Sequence, residues 1–238
     1  MDFYLGRSDW KTLQRGEEHS FLLVNGLGGY CSQTVIGSNA RHDHNLLTAA
    51  LVAPTKRFAM VRRIEEILHV GSNAYRLDSQ AYVTSSDDAA GFRFLDSFFY
   101  DGLPSWEYMA EGVRVTKRLT LVYGTNSLAI QYQLYADEGV DACIEVIPVY
   151  GFHSKNDRPL HTRRLAAEKK QIAFLCQQKR QVCILIQMVI SSRWKKNKYS
   201  GIVLIRMDLT DEMAGAADER FIKSSQRIQQ KKILISVC

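Results

Sequence analysis

Residues 21–51, which read FLLVNGLGGYCSQTVIGSNARHDHNLLTAAL, decide the fold of this chain. An apolar run at residues 21–24 and a run rich in β-branched and aromatic residues at 30–36 predict two strands. Asn25-Gly26 and Gly28-Gly29 lie between these runs and predict a tight turn, because Gly and Asn accept positive φ at low cost. After a polar cluster at residues 41–45, the apolar run from Leu46 predicts a third strand.

The glycine loop does not predict a nucleotide site. Gly26 and Gly28 fit the first two glycines of a dinucleotide-binding G-x-G-x-x-G loop, but Cys31 occupies the position of the third. The residues that follow look extended rather than helical, and no acidic residue lies about 20 positions further on. No Gly-Lys-Ser/Thr follows either, so a phosphate-binding P-loop is excluded as well.

The polar cluster contains His42-x-His44, with Asp43 between the two histidines and His19 available earlier in the chain. Two imidazoles and a carboxylate are enough donors for a metal site in principle. A polar turn that carries unliganded histidines is the simpler interpretation. We predict no metal and no cofactor.

This block resembles the N-terminal domain of bacterial and archaeal glycogen debranching enzymes of the amylo-α-1,6-glucosidase type. In that family the block reads roughly Asn-Gly-Leu-Gly-Gly-Tyr, a Ser/Thr-containing strand, a Gly, and then Asn-Thr-Arg-x-Tyr-His-Gly-Leu-Leu. The positions that match it are Asn25, Gly26, Leu27, Gly28, Gly29, Tyr30, Ser32, Thr34, Gly37, Asn39, Arg41, His44, Leu46 and Leu47. Ala40, Asp43 and Asn45 depart from it, beside Arg41 and His44.

A second block follows the same family. It contains an aromatic Trp-x-Tyr segment, a Lys-x-Leu strand and a Gly-x-Asn turn, and its matching positions are Trp106, Tyr108, Gly112, Lys117, Gly124, Asn126 and Tyr132. The resemblance covers about residues 17–150. It implies a large antiparallel β-sandwich of the supersandwich kind, which in this family precedes an (α/α)6-barrel that carries the glycosidase carboxylates. We expect the present chain to lack that barrel.

The residues alone also favour antiparallel sheets. Apolar residues alternate with polar ones over 113–121 and again over 128–134, with Gly- or Asn-containing turns between the runs. Several strands at this spacing are typical of a β-sandwich rather than a βαβ fold. Residues 58–68 are ambiguous, since Arg62-Arg63 and Glu65-Glu66 have helical spacing. The family resemblance implies a strand there, and we predict one.

Charge divides the chain into two parts. Residues 1–150 hold 13 Lys+Arg and 18 Asp+Glu, a net charge of −5, and residues 151–238 hold 18 and 7, a net charge of +11, which together give the total of +6. The alternation of apolar residues weakens at the same place. We therefore predict a β-sandwich domain over 1–150 and a basic, atypical continuation over 151–238 that is irregular or poorly ordered. We hypothesise that this continuation derives from a disrupted reading frame.

The basic continuation raises an alternative function, a stand-alone carbohydrate- or anion-binding β-sandwich module. Phosphate contacts weaken steeply as salt rises, so the salt dependence of binding would identify a nucleic-acid partner. We expect the charge to be incidental and predict no nucleic-acid partner. No apolar stretch approaches the roughly 18 residues that span a bilayer, so we predict no membrane partner. Five cysteines without a CxxC pattern favour a reducing compartment, the cytoplasm.

The candidate site residues come from the resemblance. They are assigned to substrate binding or to the interface with the barrel, and they are Asn25, Gly26, Gly28, Gly29, Tyr30, Arg41, His44 and Trp106. Two alternatives stay open: the glycine loop is a turn shaped only for packing, and Trp106 lies in the core instead of stacking on a sugar. The partners implied are an α-glucan and the barrel.

We predict no catalytic residue in this chain. Glycoside hydrolysis needs two carboxyl groups that face one bond. Glu65-Glu66 and Asp87-Asp88 are adjacent pairs, and neighbouring residues of a strand point to opposite faces of the sheet. We expect these carboxylates to lie on solvated faces.

Overall fold

The structure is a computed structural model. It describes residues 2–81 and 89–155 and, beyond them, the strand residues 166–170, 173–178, 182–189 and 198–209. The aspartates at positions 87 and 88 lie outside the described residues. Within this part, no helix is long and apolar enough to cross a membrane.

Strands make up most of the described chain. They are β1 Phe3–Gly6, β2 Ser20–Val24, β3 Tyr30–Thr34, β4 Asn45–Val52, β5 Lys56–Val70, β6 Asn73–Arg76, β7 Ser79–Gln80, β8 Ala89–Ala90, β9 Leu95–Tyr100, β10 Pro104–Ala110, β11 Val113–Val122, β12 Ser127–Tyr135, β13 Ala142–Ser154, β14 Ala166–Lys170, β15 Ala173–Gln178, β16 Val182–Val189 and β17 Lys198–Leu209. The helical segments are α1 Leu13–Glu17 and the 3₁₀ turns Arg7–Trp10 and Gly91–Arg93.

The strands form two large antiparallel sheets. The first has the order β1-β9-β10-β11-β12-β17-β16-β15-β14, and the second has the order β13-β5-β4-β3-β2, with β6 added on β5. One core cluster contains residues from both sheets; for example, the ring of Phe21 on β2 lies 6.2 Å from Phe98 and 5.5 Å from Trp106. The prediction of an all-β antiparallel sandwich is confirmed.

Alternation in the sequence explains which side chains enter the core. Along β11 the residues Val113, Val115, Lys117, Leu119 and Leu121 are buried, and those between them are more exposed. This is the period of two that a strand with one buried face requires. A lysine therefore occupies a core-facing position, and it needs a buried partner.

The ambiguous segment is a strand, β5, and it pairs with both β4 and β13. Glu65 and Glu66 do point to opposite faces: Glu65 contacts Arg63 with an Nη2–Oε1 distance of 2.6 Å, and Glu66 contacts Lys117 of the other sheet. The expectation that both are solvated was wrong: Glu66 is only 2% exposed, and the side chain of Glu65 is only 15% exposed. Glu66 is buried because β5 places its side chain on the inner face, toward the other sheet.

In the last third of the chain, the described residues add to the first sheet. β17 pairs with β12 over Ser127 to Tyr135, and β16, β15 and β14 follow in order. The prediction of irregular structure falls otherwise on residues 156–165, 171–172, 179–181, 190–197 and 210–238, which lie outside the described part. The domain division at residue 150 stays a prediction; β13 runs across it.

Candidate functional site

The glycine loop is held together by the side chain of Asn25, which is fully buried. Its Oδ1 accepts hydrogen bonds from the backbone N–H groups of Leu27 and Gly29, both at 2.9 Å. Its Nδ2 donates to the carbonyl oxygen of Thr125, at 2.7 Å, and to Oδ1 of Asn126, at 3.1 Å. The amide is therefore saturated with partners inside the molecule.

Asn126 completes a link between the two sheets. It lies in the turn between β11 and β12 in the first sheet, whereas Asn25 follows β2 in the second. Asn126 Oδ1 also accepts from the N–H of Ala50 on β4, at 3.0 Å, and its Nδ2 donates to the Ala50 carbonyl, at 3.1 Å. We call Asn25 and Asn126 the asparagine link. It joins the glycine loop, the β11–β12 turn and β4.

The glycines of the loop are required for two different reasons. Gly28 has a φ of 95°, which other residues rarely adopt, and a Cβ there would lie 2.6 Å from the Pro54 carbonyl oxygen. Gly29 is required for space, since a Cβ would lie 2.6 Å from Asn25 Nδ2 and 2.9 Å from the Thr48 carbonyl. Gly26 has a φ of 78° and lies against the ring of Tyr123.

Tyr30 begins β3 and is buried on the side of the sheet away from the core cluster. Its Cα partner is Thr48, and neither its hydroxyl nor that of Thr48 has a hydrogen-bond partner among the residues that the structure describes. The Lys155 Nζ lies 5.6 Å from the centroid of its ring and 3.5 Å from Asp43 Oδ1. Lys155 thus joins the end of the glycine loop to the polar cluster at residues 41–44.

Arg41 and His44 have different surroundings. Arg41 is exposed, whereas His44 is only 3% exposed, and its Nδ1 accepts a hydrogen bond from the Arg41 backbone N–H at 3.3 Å. Burial lowers the pKa of His44, the Arg41 charge lowers it further, and Asp43 partly opposes both effects. The neutral imidazole is therefore the form that fits this loop.

This pKa predicts a loss of stability in mild acid. A folded-state pKa below the ordinary value of about 6.5 means that protonation favours the unfolded chain. The contribution of neutral His44 is complete above that pH and is lost as the pH falls through the folded-state pKa. We expect His44→Asn, whose Oδ1 can accept the same hydrogen bond, to flatten the dependence of the urea midpoint on pH between neutrality and mild acid.

His42→Asn is the matched control for this measurement. The His42 ring is about half exposed and makes no hydrogen bond of this kind among the described residues. We expect that variant to keep the pH dependence of the original chain. Equal flattening in both variants would contradict the role assigned to His44.

Trp106 lies in the core and is 2% exposed. Its Nε1 donates to the carbonyl oxygen of Val35 at 2.6 Å, and Lys117 Nζ lies 4.9 Å from the ring centroid. The structure supports the packing alternative for this residue, because stacking on a sugar needs an open ring face. Trp106 therefore does not share a surface with the exposed Arg41.

The sequence did not predict a buried ionic cluster between the sheets. Lys117 Nζ on β11 lies 2.7 Å from Glu66 Oε1 on β5, and the hydroxyl of Tyr132 on β12 donates to the same oxygen. Burial and the Glu66 charge together raise the pKa of Tyr132 well above its usual range. The only sequence signal for the cluster is a lysine in the core-facing phase of β11.

A family comparison identifies this arrangement of sheets and loops. The model of the family described as "Glycogen debranching enzyme N terminal" matches residues 19–206. The chain belongs to this family. The resemblance drawn from the sequence is confirmed, and it continues past residue 150, where we expected it to end.

The comparisons with solved structures and with curated sequences carry less information than the family match. A solved crystal structure of a bacterial glucoamylase complexed with acarbose is 9% identical to this chain, with a TM-score of 0.41. The match covers 83% of this chain and 33% of the glucoamylase chain, so the present chain spans about a third of that protein's length. No curated protein sequence matches significantly.

The buried acidic groups of this debranching-family domain contact neighbouring side chains. Glu66 contacts Lys117, Asp78 contacts Arg76 at 2.7 Å, and Glu145 Oε2 lies 3.1 Å from His69 Nε2. Burial raises the pKa of Asp78, and the hydrogen bond from Arg76 lowers it. Among the described residues, no group of three or more His, Cys, Asp or Glu side chains is placed to hold a metal ion.

Proposed function

We propose that this chain is the non-catalytic N-terminal domain of a glycogen-debranching α-1,6-glucosidase, and that it supports the catalytic barrel and the handling of α-glucan. The observation that carries the proposal is the family match over residues 19–206. In this role the domain supplies a rigid surface, and hydrolysis takes place on carboxylates of the barrel.

The asparagine link supports a scaffolding role for the glycine loop. Every side-chain hydrogen bond of Asn25 and Asn126 described above is made within the domain. The loop therefore fixes the relative position of the two sheets at one end of the sandwich. Of the candidate residues, Arg41 has an exposed side chain, and we assign the barrel-facing contact to it.

Two of the buried carboxylates are not available for catalysis. Cleavage of a glycosidic bond needs a carboxylic acid and a second carboxylate about 5–10 Å apart on the two sides of the bond, in reach of substrate. Glu66 and Asp78, both buried, bond to Lys117 and Arg76 respectively. Neither is open to a sugar.

We also propose that the protein is located in the cytoplasm.

We expect the purified chain to release no glucose from an α-1,6-branched limit dextrin. An active debranching enzyme assayed in parallel verifies the substrate, and titration with a linear malto-oligosaccharide should show weak binding or none. Turnover that persists through purification and that scales with the concentration of this chain would contradict the proposal.

A further inference from the structure

β2 is an open edge of the six-stranded sheet. It pairs with β3 on one side, and no described strand pairs with its other side. Strand edges present unpaired backbone N–H and C=O groups, and soluble proteins usually protect them with charged residues, proline or a covering element. β2 reads SFLLV and contains neither a charge nor a proline.

The backbone groups that face the open side can be assigned. The N–H of Asn25 bonds to the carbonyl of Gly29, and the N–H of Val35 bonds to the carbonyl of His19, so odd-numbered residues of β2 bond to β3. Hydrogen-bonded and non-hydrogen-bonded pairs alternate in an antiparallel ladder. Ser20, Leu22 and Val24 therefore direct their N–H and C=O groups away from β3.

Two large apolar side chains of β2 are exposed to solvent. Leu22 is 59% exposed and Val24 is 64% exposed, on the face opposite to the buried Phe21. An uncharged edge that exposes both its backbone groups and large apolar side chains is suited to pairing with another strand.

We propose that two copies of this chain associate by antiparallel pairing of β2 with β2 about a two-fold axis at Leu22. In this register Leu22 lies opposite Leu22 of the second copy, and Ser20 lies opposite Val24 of the second copy. All three outward-facing residues then find partners. The contact uses the same patch on both copies, as a two-fold interface requires.

Charge favours this antiparallel register. Glu17 and Glu18 lie just before β2, where Glu18 pairs with Arg15 at 2.6 Å, and the first residues of β5, Lys56 and Arg57, follow the β4–β5 turn, which lies at the other end of β2. The β4–β5 turn is close to the loop that follows β2, because a Cβ on Gly28 would lie 2.6 Å from the Pro54 carbonyl oxygen. Antiparallel pairing brings the acidic end of each copy toward the basic start of β5 in the other. Parallel pairing would bring like charges together.

The contact is small. A five-residue strand buries well below the ~800 Å² per partner that is typical of stable complexes. The dimer should therefore be weak and depend on concentration. Raising the salt concentration should weaken it further, because Glu18 and Lys56 at its ends are exposed.

Sedimentation velocity over a series from micromolar to submillimolar concentration tests the proposal. We expect a monomer–dimer equilibrium in the original chain. Leu22→Lys places two ammonium groups opposite each other at the axis, and it should weaken the dimer at least tenfold. Tyr4→Lys is the matched control, since Tyr4 is exposed on β1, the corresponding edge strand of the other sheet. It should leave the equilibrium unchanged.

A second variant guards against a folding artefact. Val24→Lys should weaken the dimer as well, and both lysine variants should keep the circular dichroism spectrum of the original chain. A chain that stays monomeric at every concentration would overturn the proposal, as would a dimer lost in Tyr4→Lys and retained in Leu22→Lys. Neither result bears on whether the chain hydrolyses glucan.

Discussion

Replacing Lys117 with methionine is expected to lower the free energy of unfolding by about 3–5 kcal/mol, the usual cost of removing one partner from a buried ion pair. Methionine fills most of the same volume, so the loss comes from Glu66, whose carboxylate would stay in the core without its cation. Tyr132 would remain as its hydrogen-bond donor and would compensate only in part. Urea denaturation followed by circular dichroism measures the change.

Arg118→Met is the matched control for Lys117→Met. Arg118 is the next residue of β11, faces solvent, and pairs with Asp101 at 2.7 Å. Exposed ion pairs contribute about 0–1 kcal/mol, so the control should stay within that range. The double variant Lys117→Met/Glu66→Gln should lose less than Lys117→Met alone, because glutamine carries no charge and still accepts from Tyr132. Equal losses in Lys117→Met and Arg118→Met would contradict the account of this cluster.

Asn25→Ala is expected to lower the free energy of unfolding by about 3 kcal/mol. The N–H groups of Leu27 and Gly29 lose their acceptor, and the carbonyl of Thr125 loses a donor. Each unsatisfied buried group costs about 1–3 kcal/mol, and water relieves part of that cost at partly buried positions. Chemical denaturation gives the difference directly.

Thr125→Ala serves as the control for this variant. It removes an exposed hydroxyl from the same turn and leaves the Thr125 carbonyl in place. We expect a change within about 0.5 kcal/mol, as for most surface substitutions. A loss in Thr125→Ala that matches the loss in Asn25→Ala would mean that the turn as a whole, rather than the asparagine amide, carries the effect.

Local patterns in the sequence were sufficient to predict most strands of the first 155 residues. The runs before and after the glycine loop became β2 and β3, the apolar run from Leu46 became β4, and the alternation over 113–134 became β11 and β12. These predictions succeeded because strand formation and core facing both follow a period of two. β5 needed the family resemblance, since its charged residues fit helix and strand equally well.

Tertiary pairings limited what the sequence could show at the candidate site. Nothing in the spacing of Glu66 and Lys117 indicates that they meet, because the contact depends on how two sheets are stacked. The same holds for Asn25 and Asn126, which are far apart in sequence. Trp106 could have been a core or a surface residue, and its position was decided by packing against Phe21 and Phe98.

A double-mutant cycle on Asn25 and Asn126 tests most directly whether the family's glycine block is a structural link between the sheets. The cycle compares Asn25→Ala, Asn126→Ala and the double variant by urea denaturation. Residues in one hydrogen-bond network show interaction energies of about 0.5–3 kcal/mol, and we expect the double variant to lose less than the sum of the two single losses by an amount in that range. Strictly additive losses would contradict the account.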